Sequence, residues 1–141
     1  MLQVFFLTAV FFGYLLLPEF AAQAAGTKEF TPEREVIQIN DQGIHPAVLT
    51  FENPDGTVFF YNATKDKPLL LAIDFGKRRL HCLGPDWQFG DDGILRSARP
   101  VAVRDFAITC FPEAGSYQVK VFGLRNGPES VTGTVIVSAA K

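Results

Sequence analysis

The chain has 141 residues, 48% of them apolar, and a formal net charge of −2. That length supplies one domain with a sizeable core. Neither a basic stripe nor an acidic tail is present, which argues against nucleic acid or an anionic membrane surface as the main partner.

Val4 to Leu17 is almost wholly apolar, and Ala22-Gln23-Ala24 follows as a small-x-small cleavage site. Residues 1–24 therefore read as a secretory signal peptide. The alternative is an uncleaved N-terminal anchor: no Lys or Arg precedes the apolar run, and roughly 17 to 25 apolar residues span a bilayer. Membrane contact is expected only if this segment stays uncut. Both readings carry the folded part across a membrane, so the expected location is periplasmic or secreted. Residues 25–35 read as a linker and 36–141 as the domain.

Short β-branched and aromatic runs follow, separated by Gly, Pro, Asn and Asp. In chain order they are Val36–Ile39, Ala47–Phe51, Thr57–Tyr61, Leu69–Ile73, a weaker Arg79–Leu83, Val101–Cys110, Ser116–Phe122 and Thr134–Ser138. Their composition fits strands and their separators fit turns. No helical periodicity appears after the leader, so the expectation is an all-β, antiparallel sandwich of about seven or eight strands. Alternation places Tyr117, Val119 and Val121 on one face. The same rule points Cys110 inward with Phe106 and Ile108. Gly84 to Pro100 reads as one long irregular loop carrying Trp87, the sole tryptophan, with Phe89 and three aspartates. Long loops on a sandwich are often functional.

Four motifs occur in order. Gly43-Ile-His-Pro46-Ala-Val-Leu-Thr-Phe51 is the first, and Asp55-Gly-Thr-Val-Phe-Phe-Tyr-Asn62 the second. Pro112-Glu-Ala-Gly115-Ser-Tyr117 and Gly133-Thr-Val-Ile-Val137 complete the set. Together they resemble the cupredoxin-like family over about Val36 to Val137. The resemblance implies a Greek-key β-sandwich and four blue-copper ligand positions. Those positions fall on Pro68 or Leu69, where a His is expected, on Val121 for the Cys, on Leu124 for the second His and on Val131 for the Met. A type 1 site needs two imidazoles, a thiolate and a weak axial thioether, and aliphatic side chains offer no lone pairs. No blue-copper centre is therefore expected at the usual location. Phe122-Gly-Leu-Arg-Asn-Gly-Pro128 also resembles a region of the subgroup that accompanies periplasmic iron-uptake proteins, with Phe122 where that subgroup has Cys.

Other residues could still carry chemistry. Cys82 and Cys110 form an even pair, which an oxidising compartment favours as a disulfide. His81-Cys82, with His45, could instead hold copper, iron or zinc, although neighbours on a strand point to opposite faces. Asp86, Asp91 and Asp92 lack the spacing of a calcium loop. Lys77-Arg78-Arg79 could steer an acidic partner. Asn62-Ala63-Thr64 matches a glycosylation sequon. No nucleophile triad, phosphate loop or paired zinc motif appears, so no enzyme is expected.

The leading expectation is a non-catalytic, exported accessory protein that binds a protein partner and needs no cofactor. An apolar partner surface would form from Leu69, Leu124 and Val131, joined by Trp87 and Phe89 unless those two rings fold back to cap the sandwich. The alternatives are a periplasmic copper- or iron-handling protein with a non-standard site, and a structural subunit of a membrane-bound respiratory or uptake complex.

Overall fold

The computed structural model describes residues 33–52 and 54–139. The apolar leader, its cleavage site and the linker up to residue 32 lie outside the described residues.

Among the described residues, ten strands form two sheets. The first sheet has the order β2-β1-β4-β8, from Gly43–His45, Arg34–Asn40, Gly56–Asn62 and Phe106–Phe111. The second has the order β3-β10-β9-β5-β7-β6, from Val48–Phe51, Ser130–Val137, Gly115–Phe122, Leu70–Asp74, Ile94–Ser97 and Trp87–Phe89. Every predicted run except Arg79–Leu83 overlaps a strand. The sandwich is as expected, but the sheets are mixed: β1 pairs parallel with β4, and β3 with β10. β1 also takes in Arg34 and Glu35 from the predicted linker.

The largest departure is the segment 84–100. It holds a hairpin, β6 against β7, with Trp87 opposite Ser97 and Phe89 opposite Leu95. Leu95 is fully buried. Its alternation was masked by the Gly and Asp residues of the turn between the strands.

Alternation elsewhere fills the space between the sheets. β4 buries Val58 and Phe60 and turns Thr57, Phe59 and Tyr61 outward. Between the sheets, the rings of Phe75 and Phe111 stack with centroids 5.7 Å apart. Tyr117 meets both edge-on, at 5.0 and 4.9 Å. Gly56 opens β4 because the Phe51 ring lies where a Cβ would go, only 2.6 Å from it.

Facing in β8 is opposite to the expectation. Ala107, Thr109 and Phe111 point into the core, whereas Phe106 and Ile108 are 43% and 41% exposed. Size complementarity across the β4–β8 ladder explains the choice. Small Ala107 sits opposite large Phe60, and large Phe111 opposite Gly56. A shift of one residue would reverse every one of these pairs.

Candidate functional site

The four positions where the resemblance places metal ligands gather at one end of the sandwich. Val121 on β9 pairs with Val131 on β10 and with Leu71 on β5. Leu69 bridges to Val101 just before β5. Leu124 lies in the loop after β9, whose approach is set by Gly123. That residue has φ +95° and lies so close to the Pro68 carbonyl that a Cβ would come within 2.8 Å of its oxygen. The Lys67 ammonium then ties the loop down by donating to the Leu124 carbonyl at 2.8 Å.

Beneath this end lies a closed polar network. Asn62, the last residue of β4, is fully buried. Its Nδ2 donates to the carbonyls of Lys67 (2.8 Å) and Val101 (2.9 Å). Its Oδ1 accepts from the backbone N–H (3.0 Å) and hydroxyl (2.7 Å) of Thr64. The side chain is thereby used in full, which explains a polar residue in the core. Asn62 matches a sequon in sequence only, since a buried amide is closed to glycosylation once the chain has folded.

Leu69 and Val121 are fully buried, Leu124 is 5% exposed, and Val131 packs against the core. The expected partner patch of Leu69, Leu124 and Val131 is therefore not an open surface: Leu69 and Leu124 are buried in the core, and Val131 is half-buried against it. Trp87 leaves the predicted surface as well. It is buried, meets Phe60 edge-on at 6.1 Å, and donates its indole N–H to the Ile108 carbonyl at 2.7 Å. That bond joins the edges of the two sheets and covers one carbonyl of β8. Of the predicted surface aromatics Phe89 alone stays open, at 40% exposure.

A copper ion does not fit this end. The four side chains carry no donor atom, and among the described residues no group of three or more His, Cys, Asp and Glu could hold a metal.

The second predicted cluster separates in space. Cys82 is bonded to Cys110, with Cα atoms 6.1 Å apart, so its thiol is not available as a ligand. The adjacent His81 places Nε2 3.1 Å from Oδ1 of Asp55. His45 pairs with Gln38, which pairs with Tyr61. Asp55 precedes Tyr61 by six positions, about 20 Å along a strand at ~3.3 Å per residue. His45 and His81 thus lie toward opposite ends of the first sheet and share no site. The disulfide is on the outer face of β8. The chain around Cys82 covers Cys110 there, which accounts for its burial without contact with the main core.

Charged candidates are largely committed to one another. Arg96 grips Asp92 through both oxygens, at 2.6 and 3.1 Å. This guanidinium, with the Ile94 backbone, lowers the Asp92 pKa to about 2. Asp86 accepts from Arg99 at 3.1 Å. Within the basic run, Arg78 lies over the Tyr117 ring, 4.6 Å from its centroid, which holds it at the edge of the core. Burial pushes the Tyr117 phenol up, and its hydroxyl donates to the Glu113 carbonyl at 2.6 Å.

A surface that sequence reading missed is the outer face of the first sheet. Val36, Phe59 and Ile108 form one row across β1, β4 and β8. Tyr61 and Phe106 form part of the next. Phe106 lies 4.9 Å from Tyr61 and meets Phe59 edge-on at 6.2 Å. Val36 is 51% exposed. The available signal was the unbroken run Val58-Phe-Phe-Tyr61, because four consecutive apolar residues on a strand place apolar groups on both faces.

No protein-family model matches this sequence, and no curated protein matches it. Solved structures do. A Cu(I) form of an amicyanin variant superposes with a TM-score of 0.51 and 14% identity, covering 78% of this chain and 87% of its own. Dithionite-reduced auracyanin from the photosynthetic bacterium Roseiflexus castenholzii gives 0.50 and 13%, covering 77% of this chain and 99% of its own. Identities this low speak for architecture alone, and the architecture of this chain is a cupredoxin-like β-sandwich.

Proposed function

We propose that this chain is a non-catalytic, exported accessory protein that uses a cupredoxin-like frame to bind a protein partner and has no blue-copper site. One observation carries the reading: where the resemblance places the ligands, Leu69, Val121 and Leu124 are buried in the core and Val131 packs against it. The Cys82–Cys110 disulfide supports export, because such bonds persist in oxidising compartments. With the predicted patch buried, the partner surface moves to Val36, Phe59, Tyr61, Phe106 and Ile108. Apolar surface rich in aromatic rings is what protein interfaces favour at their centres.

The test combines metal content with partner retention on protein isolated from its own host. The expected result is substoichiometric copper, zinc and iron, with a co-purifying protein lost when Phe106→Asp and Ile108→Asp are introduced together. Circular dichroism should show the doubly substituted chain still folded. Stoichiometric copper with an intense visible band would overturn the reading. So would a partner indifferent to both substitutions.

A further inference from the structure

The outer face of the second sheet carries a different feature, independent of the partner reading above. Residues facing away from the core on a sandwich are usually polar. Here Leu70 and Phe122 pair directly across β5 and β9, and Ile94 faces outward two rows further along on β7. Leu70 is 46% exposed. Between these rows Ala72 sits opposite Lys120 on one side and Arg96 on the other. The small alanine leaves a trough flanked by two taller cationic side chains. The resulting hollow has a volume of about 350 Å³ and is lined by Leu70, Ala72, Ile94, Arg96, Lys120 and Phe122, among others, with no carboxylate in its wall.

The two cations differ. Arg96 is held by Asp92. Lys120 makes no ion pair with any described residue. Asp74, the acidic residue one row away on β5, turns its Oδ1 to the Gly76 N–H at 2.8 Å. An apolar floor beside an unpaired ammonium is complementary to a molecule with an apolar body and one negative charge. Size narrows the occupant further. At roughly 30 Å³ per water-sized group, the hollow holds about a dozen such groups, which is the low end of ligand pockets.

We propose that this trough binds a small amphiphilic carboxylate, with its apolar chain on Leu70, Ile94 and Phe122 and its carboxylate at Lys120. The trough is open on one side, so the chain is half-covered and each methylene contributes about half of its full transfer value. Lengthening the chain by two methylenes then tightens binding roughly fourfold. An exposed ion pair adds a further two- to fivefold, diminishing with salt.

The experiment titrates the full isotope-labelled chain with octanoate, decanoate and 1-octanol, followed by amide chemical shifts. Saturable shifts centred on Ala72, Lys120 and Phe122 are expected. Decanoate should bind about fourfold tighter than octanoate, and 1-octanol two- to fivefold weaker than octanoate. Lys120→Glu should weaken octanoate about tenfold by replacing attraction with repulsion, and leave 1-octanol unchanged. Lys120→Arg should retain octanoate binding. Equal binding of octanoate and 1-octanol overturns the proposal, as does indifference to Lys120→Glu. Shifts confined to the Phe59 and Phe106 face, or none that saturate, overturn it too.

Discussion

Asn62→Ala isolates the network that holds the ligand-position end together. The substitution removes four hydrogen bonds. Their former partners fare differently. The Thr64 hydroxyl, 2.8 Å from the Lys67 carbonyl, turns its single proton there, and the Val101 carbonyl still accepts from the Leu69 N–H. The Thr64 N–H loses its acceptor. One orphaned buried donor costs about 1–3 kcal/mol, and the net loss of the remaining bonds adds about 1 kcal/mol or somewhat more, giving about 3 kcal/mol in total. That is a large share of the roughly 5–15 kcal/mol of a typical domain. For a domain of this size it lowers Tm by about 12 °C, at roughly 4 °C per kcal/mol. The assay is thermal and urea unfolding followed by circular dichroism with the disulfide intact. Asn62→Asp should be worse, because it keeps the acceptors but aims a buried charge at two carbonyls. A loss below about 1 kcal/mol for Asn62→Ala would refute the reasoning, since water or a shifted Thr64 would then satisfy the site.

Thr109 is buried with an unpaired hydroxyl; Thr109→Val should leave stability unchanged or raise it by up to about 1 kcal/mol, read from the urea midpoint. Cys82 and Cys110 are 28 positions apart; in the chain-entropy account their reduction should cost about 3–4 kcal/mol, seen as a lower urea midpoint under reducing conditions. The folded pKa of Asp92 is depressed to about 2 from 3.8. Its contribution to stability is present above pH ~4 and is lost as pH falls toward ~2; Asp92→Asn should flatten that part of the Tm–pH curve. Finally, Leu69→His, Val121→Cys, Leu124→His and Val131→Met introduced together should produce an intense visible Cu(II)–thiolate band, because they restore the donor set of a type 1 site. Copper uptake with no such band would show that these four positions do not converge.

Most strands were legible because their alternation is regular and their turns carry Gly, Pro, Asn and Asp. The facing of β8 was not. In Phe106-Ala-Ile-Thr-Cys110 the larger apolar residues Phe106 and Ile108 alternate with Ala107 and Thr109, and hydrophobicity alone points the larger set inward. The partner strand decides otherwise, because inward Phe60 leaves space only for Ala107 beside it. Such a constraint is cross-strand and cannot be read from one segment. The hairpin of β6 and β7 was hidden for a related reason: three-residue and four-residue strands give too few alternations to distinguish them from a loop. At the candidate site, the aliphatic character of Leu69, Val121, Leu124 and Val131 is plain in the sequence. Whether they were exposed depended on how the loop around Leu124 closes, which Gly123 and Lys67 settle through contacts with Pro68 and Leu124 itself.

Filling that end of the sandwich with aliphatic groups has an energetic consequence. Imidazole groups directed into a packed core need a metal or hydrogen bonds to offset their desolvation. Leu69, Val121 and Leu124 need neither, and burying side chains of this kind stabilises by about 1.5–3 kcal/mol each. A metal-binding end is a conditional part of a fold, completed when the ion arrives. The aliphatic end is complete from the sequence alone, with Asn62 and Lys67 supplying the polar contacts that fix its loops. Among the described residues, the two outer faces differ: the first sheet carries aromatic rings, and the second an apolar trough beside Lys120.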